Sequence, residues 1–283
     1  MALPEKQKTL RRDFAISGIG LFTGESTRVT LKPAPTHSGI AFQRVDLPQK
    51  PLIPALVDSV RDLPRTTRLV AGSGSVLMVE HLLSALRGLG VDNALIEVEG
   101  NEVPVGDGSA SFWVDALRTH GLVEQGVARL PHKLIEPVYW AEGDATLVAL
   151  PSSEFRVSYT YHNPESLQFR TQFVSMAIDP RCYGDEIAPC RTFSHYEEVA
   201  PLIERGMIKG GGLESAVVVR NDQVLNPGGL RFADEFARHK VLDLIGDLAL
   251  IGVPFHAHIL AVRSGHAAHV RFAKLLKGAL IHA

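Results

Sequence analysis

The chain has 283 residues, 45% of them hydrophobic and 21% charged, enough apolar material for one large core or two smaller ones. Its 29 Lys and Arg nearly balance 31 Asp and Glu, for a formal charge of -2, so the basic excess of a nucleic-acid-binding protein is absent. Cys182 and Cys190 are the only cysteines; two thiols make no disulfide framework and fit a reducing compartment.

Met1 to Phe14 contains no apolar stretch of the signal-peptide kind. The longest apolar neighbourhood, 241–262, is broken by Asp243, Asp247, Pro254, His256 and His258, which excludes an ordinary spanning helix. A soluble, cytoplasmic protein is expected. Thr27, Val29 and Leu31 alternate with Arg28, Thr30 and Lys32, predicting a strand, and Ile40 and Phe42 predict another after the turn at His37-Ser38-Gly39. Val76, Val79, Leu83 and Leu86 share one helical face that Gly88 and Gly90 end. A strand through Ala94, Ile96 and Val98 follows, then a helix opened by Asp107-Gly108-Ser109 and closed by Gly121. Residues 122–131 read as a connection. Beyond them, strands are predicted over 134–140, 146–150, 156–161 and 168–174, a helix over 196–204 and a strand over 216–219. A long helix from Phe232 to about Leu250, a strand over 258–262 and a helix over 267–280 complete the chain. Strands followed by helices, twice over, predict an α+β fold of two similar domains, 1–125 and 126–283, each a sheet layered with helices.

On the long helix, His239, Asp243 and Asp247 fall on one stripe at about 100° per residue. Phe236, Leu242 and Ile245 lie close to it, so the stripe is carried inward, where imidazoles and carboxylates need partners. A His/Asp pair at this spacing can bite one face of a metal ion; a surface ion pair is the plain alternative. His81, on the earlier helix, would by itself be an ordinary core or surface histidine. With His239 and Asp243 it makes three ligands, the number that leaves a catalytic zinc one open position for water. Glu80 points about 100° away from its neighbour, which favours taking a proton from a water on the metal over ligation. Ser264 is a candidate N-cap for the last helix. The helix dipole there disfavours a charged His266, and Asp247 could reverse that, making the imidazole a cationic partner for an oxyanion. A capping contact at a surface turn is the other reading. Gly72-Ser73-Gly74 and Lys209-Gly210-Gly211-Gly212 lack the Gly-Lys-Ser/Thr ending of a P-loop, and His256 and His258 read as structural.

Val79-Glu80-His81-Leu82, Asp107-Gly108-Ser109-Ala110, Arg191-Thr192-Phe193, Asn226-Pro227-Gly228-Gly229-Leu230-Arg231-Phe232, His239-Lys240-Val241-Leu242-Asp243 and Ser264-Gly265-His266 follow one another in this order. Together they resemble the UDP-3-O-acyl-N-acetylglucosamine deacetylase family, zinc amidases that commit an acylated UDP-amino-sugar to lipid A synthesis in Gram-negative bacteria. The likeness runs from about Thr9 to Lys277. It implies two α+β domains packed face to face, each with an insert, and an active site in the cleft between them. It further implies Zn2+ held by His81, His239 and Asp243, Glu80 as base, and His266 oriented by Asp247. Thr192 would bond the oxyanion and Lys240 the substrate. The second insert would form an acyl-chain passage, with Ile208, Leu213, Ala216 and Val218 at lining positions, although as plain sequence these four could be core. Phe193 would lie beside the sugar and Tyr161 would stack on uracil. Ala145 departs from the family, which often carries a lysine there against the nucleotide; Lys240 or another basic residue would then face the diphosphate, or nucleotide affinity would be weaker. A zinc amidase for another acylated nucleotide sugar and a non-catalytic binder of nucleotide-linked lipids are the competing readings. Oligomeric state is not legible.

Overall fold

The computed structural model describes residues 5–61 and 65–281. The chain opens with β1 (Lys6–Leu10), then the hairpin β2 (Phe14–Ile19) and β3 (Ser26–Pro33), and a second hairpin, β4 (Ile40–Arg44) and β5 (Leu52–Pro54). An insert of three short strands, β6 (Val60–Arg61), β7 (Arg68–Ala71) and β8 (Gly74–Leu77), leads into α1 (Val79–Gly88), β9 (Ala94–Glu99) and α2 (Ser111–His120). Strands β10 (Leu122–Ala128) and β11 (His132–Leu134) carry the chain into the second half. There the pattern recurs: hairpin β12 (Val138–Glu142) and β13 (Ala145–Leu150), then hairpin β14 (Phe155–His162) and β15 (Thr171–Ala177). The second insert holds a single turn α3 (Pro180–Cys182), β16 (Phe193–His195), α4 (Tyr196–Glu204), β17 (Val217–Arg220) and β18 (Gln223–Val224). Helix α5 (Glu235–Ala249), β19 (Phe255–Val262), α6 (His266–Ala279) and β20 (Leu280–Ile281) close the chain.

The main sheets share a five-strand topology, β2-β3-β9-β4-β5 and β12-β13-β19-β14-β15, to which β11 and the terminal β20 are added in the second. In each set of five, the last strand, β9 or β19, lies in the middle, antiparallel to the first hairpin and parallel to the second. Helices α1 and α5 are therefore counterparts, as are α2 and α6. The fold is α+β, built of two sheet-and-helix halves, as the alternation of elements predicts. Period-two strands bury one row of side chains, as in β3 with Thr27, Val29 and Leu31 inside. Helix α1 instead buries nearly every residue, because α5 covers the face its own sheet leaves open. Its apolar Val79, Leu82, Leu83 and Leu86 join Val241, Leu242, Leu244 and Ile245 of α5 in one core spanning both halves. Among the described residues, no helix is long and apolar enough to cross a membrane.

Three local expectations change. Residues 122–131 are not a plain connection, because β10 pairs antiparallel with β1; its polar Glu124 and Gln125 hide a strand held by backbone bonds to a distant partner. The expected break after residue 125 thus falls inside a strand. Val76 belongs to β8, and the helix begins only after Met78, whose φ of 59° interrupts the chain direction. The stretch 134–140 is split between β11 and β12, with Pro137 between them unable to donate a ladder bond.

Candidate active site

Where α1 and α5 cross, a Cβ on Gly246 would stand 2.1 Å from the Glu80 carbonyl oxygen. Only glycine permits that approach, and the approach sets His81 beside His239 and Asp243. All three side chains are buried. The Nδ1–H of His239 donates to the Cys190 carbonyl at 3.0 Å, which turns the Nε2 lone pair toward Asp243 Oδ1, 3.3 Å away. His81 Nε2 lies 3.7 Å from the same oxygen, and the two imidazoles meet edge to face at 5.1 Å. Asp243 Oδ1 is buried without a hydrogen-bond partner among the described residues, an expensive state for a carboxylate oxygen. One donor atom from each residue lies within 4.8 Å of the others. Two imidazole nitrogens and a carboxylate oxygen, the nitrogen of one fixed by a backbone carbonyl, suit a metal ion with three protein ligands. Burial would raise the Asp243 pKa, but Lys240, His239 and His266 outweigh it and hold the carboxyl well below the usual range.

Glu80, next to His81 on α1, is not one of the three clustered donors but lines the same cavity. Burial pushes its pKa up, against the pull of His266 and His81. Its Oε1 accepts from the Thr66 hydroxyl at 2.9 Å and its Oε2 from the Thr67 N–H at 3.1 Å. His266 Nε2 stands 3.9 Å from Glu80 Oε1 and 3.8 Å from Asp243 Oδ2. Behind it, His266 Nδ1–H donates to Asp247 Oδ2 at 2.8 Å, and His269 Nδ1–H donates to the same oxygen at 2.8 Å. Burial alone would strip the proton from His266; the charges of Asp247, Asp243 and Glu80 and the bond to Asp247 reverse this and raise its pKa to about 10. His266 and His269, through charge and hydrogen bonds, in turn take Asp247 down to about 2 despite burial. Ser264 does not cap α6: the N-cap is Gly265, and the Ser264 hydroxyl bonds His269 Nε2 at 2.9 Å.

Glu80, His81, Asp243 and His266 lie on the wall of a cavity of about 740 Å³ that also exposes Thr192, Phe193 and Lys240. Ile208, Leu213, Ala216 and Val218 line the same cavity, together with Val199 and Ile203 of α4. One space therefore joins a polar end to an apolar one. Lys240 Nζ donates to Asp243 Oδ2 at 2.9 Å and lies 5.4 Å from the Phe193 ring centroid; Asp243 keeps it cationic against burial. Thr192 is pinned by backbone bonds from its N–H to the Gly108 carbonyl and from Val217 N–H to its own carbonyl, both 2.7 Å. Gly108 has a φ of 84°, and a Cβ there would strike the Ser215 carbonyl oxygen at 2.2 Å, so the first-half turn must be glycine to reach across. Tyr161 is not on the cavity wall. It sits behind Phe193, ring centroids 5.4 Å apart and edge on.

Several residues given no role from the sequence hold this arrangement. Thr66 and Thr67 immediately precede β7 and show no periodicity. His269 lies three residues after His266 on α6, a spacing that marks a shared helix face. The buried Glu235 accepts from Arg191 N–H at 3.0 Å and from its guanidinium at 2.9 Å, setting the segment that carries Thr192. Asn226 is also buried; its amide donates to the Leu213 and Ala216 carbonyls at 2.7 Å and accepts from Val218 N–H at 2.8 Å, bracing the apolar wall. Ala145 opens β13 at the turn where Arg263 meets Asp144 at 3.2 Å.

Comparison with known proteins agrees with this geometry. Residues 7–277 match the family model described as UDP-3-O-acyl N-acetylglycosamine deacetylase. The chain is 44% identical over 279 residues to the UDP-3-O-acyl-N-acetylglucosamine deacetylase of Chlamydia pneumoniae, covering 98% of this chain and 99% of that protein. It is 41% identical over 284 residues to the protein of the same name from Chlamydia trachomatis serovar L2, covering 99% and 98%. A match of this length and depth leaves no large part of the fold outside it, and the chain belongs to the UDP-3-O-acyl N-acetylglycosamine deacetylase family.

Proposed function

We propose that the chain hydrolyses the N-acetyl group of UDP-3-O-acyl-N-acetylglucosamine, giving UDP-3-O-acyl-glucosamine and acetate in lipid A biosynthesis, with zinc as its metal. The observation that carries this reading is the single cavity joining a buried carboxylate–imidazole cluster to an apolar passage. A binder of nucleotide-linked lipids needs the passage but has no use for a buried base facing a cationic imidazole.

His81, His239 and Asp243 hold the metal. Bound there, zinc supplies Lewis acidity toward the amide carbonyl and lowers the pKa of water. Glu80, whose raised pKa makes it a better base than an exposed carboxylate, takes the proton from the attacking water. Oxygen adds to the acetyl carbon, and the negative charge that develops on the carbonyl oxygen is met by the Thr192 hydroxyl and the His266 cation. The C–N bond breaks, and the sugar amine departs with a proton while acetate is released. Asp247 keeps His266 oriented and cationic. Lys240 contacts the substrate near Phe193, which lies beside the sugar. Ile208, Leu213, Ala216 and Val218 cover the acyl chain, and Tyr161 supports Phe193 from behind. We place the reaction in the cytoplasm, which the two free thiols Cys182 and Cys190 support.

The test is acetate release from the acylated UDP-sugar after chelation and zinc add-back. Loss of activity on chelation, with recovery at one zinc per chain, is expected. Undiminished release from metal-free protein would refute the zinc assignment, and zinc-bound protein inert toward the acylated UDP-sugar would refute the substrate.

A further inference from the structure

Thr66 and Thr67 lie in the first insert, directly before β7, yet they touch both proton-handling arms of the site. Thr66 Oγ1 donates to Glu80 Oε1 at 2.9 Å, and Thr67 N–H donates to Glu80 Oε2 at 3.1 Å. The Thr67 hydroxyl then turns the other way and donates to Asp247 Oδ1 at 2.6 Å. The second oxygen of Asp247 is taken by His266 and His269. Thr66 is 3% exposed and Thr67 1%, so water does not compete for these bonds.

A glutamate side chain has three rotatable torsions, and Glu80 faces an opposite charge. His266 Nε2 and Glu80 Oε1 are 3.9 Å apart, outside hydrogen-bond length but near enough to attract strongly in a buried setting. A direct pair between them would occupy the lone pair that must receive a proton and the N–H that must meet the oxyanion. Each Glu80 oxygen accepts one bond from the threonine pair, which leaves each a further lone pair. From this geometry we infer that Thr67, assisted by Thr66, is a positioning residue that holds the Glu80 carboxylate and the Asp247–His266 pair at a working separation. The inference rests on the reading of Glu80 and His266 given above.

Thr67→Val keeps the side-chain volume and the backbone N–H but removes the bond to Asp247. Thr67→Ser keeps the hydroxyl and loses a methyl. Thr66→Val removes one bond to Glu80 and leaves Thr67 untouched. The kcat and KM for acetate release, the zinc content and the thermal midpoint should be measured for each, with Glu80→Gln alongside. In Thr67→Val, kcat should fall about 10–100-fold, the range for losing a group that orients a site residue, with KM within about twofold and zinc content unchanged. Thr67→Ser should recover most of kcat, which a packing role for the methyl would not allow. If Thr67→Val does not fold, Thr66→Val decides, with a fall of about tenfold or more in kcat supporting the clamp. Wild-type kcat in the valine variants beside an inactive Glu80→Gln would overturn the clamp alone, as would a serine variant no better than valine. Wild-type turnover in Glu80→Gln would overturn the underlying assignment and the clamp with it.

Discussion

The two inserts occupy the same station in one repeated topology, each between the second hairpin of its sheet and the helix that enters the cleft. Their chemistry is opposite. The first brings Thr66 and Thr67, both buried and fully bonded, to the carboxylates of the polar end. The second supplies Ile208, Leu213, Ala216 and Val218, with Leu213 still 45% exposed. Buried, hydrogen-bonded threonines thus face Glu80 and Asp247, while the apolar wall hangs on a more exposed element braced by Asn226. On the proposed function, changes at the first insert should act on kcat and changes at the second on KM.

The largest effect is expected from spoiling the helix crossing on which both halves depend. Replacing a helical glycine usually stabilises, by about 1 kcal/mol for alanine. At Gly246 the sign reverses, because the new Cβ meets the Glu80 backbone at 2.1 Å. Overpacking costs about 1–3 kcal/mol or more, so Gly246→Val should lower the thermal midpoint by several degrees and fail to retain zinc, as calorimetry and metal analysis would register. A wild-type midpoint would mean that α1 and α5 can part freely.

The next effect is on pH. His266 is cationic below its raised pKa of about 10 and neutral above it, so turnover should fall as pH rises through that value. The bond to Asp247 likewise contributes stability that is full below the ordinary imidazole pKa of about 6.5 and is lost as pH rises through about 10. On the acid side, Glu80 must be ionised to act, and its raised pKa places the rise in turnover above the ordinary carboxylate range. A pH–kcat profile with an alkaline fall near pH 7 would contradict the His266 assignment.

The mildest perturbation sharpens the second insert. Ala216→Leu narrows the passage, and each methylene of acyl chain it excludes should weaken binding about fourfold, from about 0.8 kcal/mol per buried CH2. KM should rise for long-chain substrates while kcat on short-chain substrates stays near wild type. A fall in kcat for every chain length would show that the two ends are coupled.

Legibility in the sequence follows the same division. The stripe His239, Asp243, Asp247 is a property of one helix, and 3.6-residue periodicity shows it directly. Glu80 and His81 needed a second, distant element, and their motif became informative only when set beside the others. Thr66 and Thr67 act through a backbone N–H and two hydroxyls on a connecting segment, where no side-chain pattern points to a partner 180 residues away. Asn226 looks like a turn former, yet it satisfies backbone groups of three residues between 8 and 13 positions earlier. The doubled α+β pattern was visible because alternating strands and amphipathic helices are local signals. Strand β10 was not, since its pairing with β1 joins the two ends of the first half.

On the proposed function, Glu80 handles the proton beside a metal it does not bind. Zinc content and acetate release measured together on Glu80→Gln test it most directly. One zinc per chain is expected, with turnover reduced about 10²–10⁴-fold, the usual contribution of general-base catalysis. Zinc-loaded Glu80→Gln with wild-type turnover would contradict it.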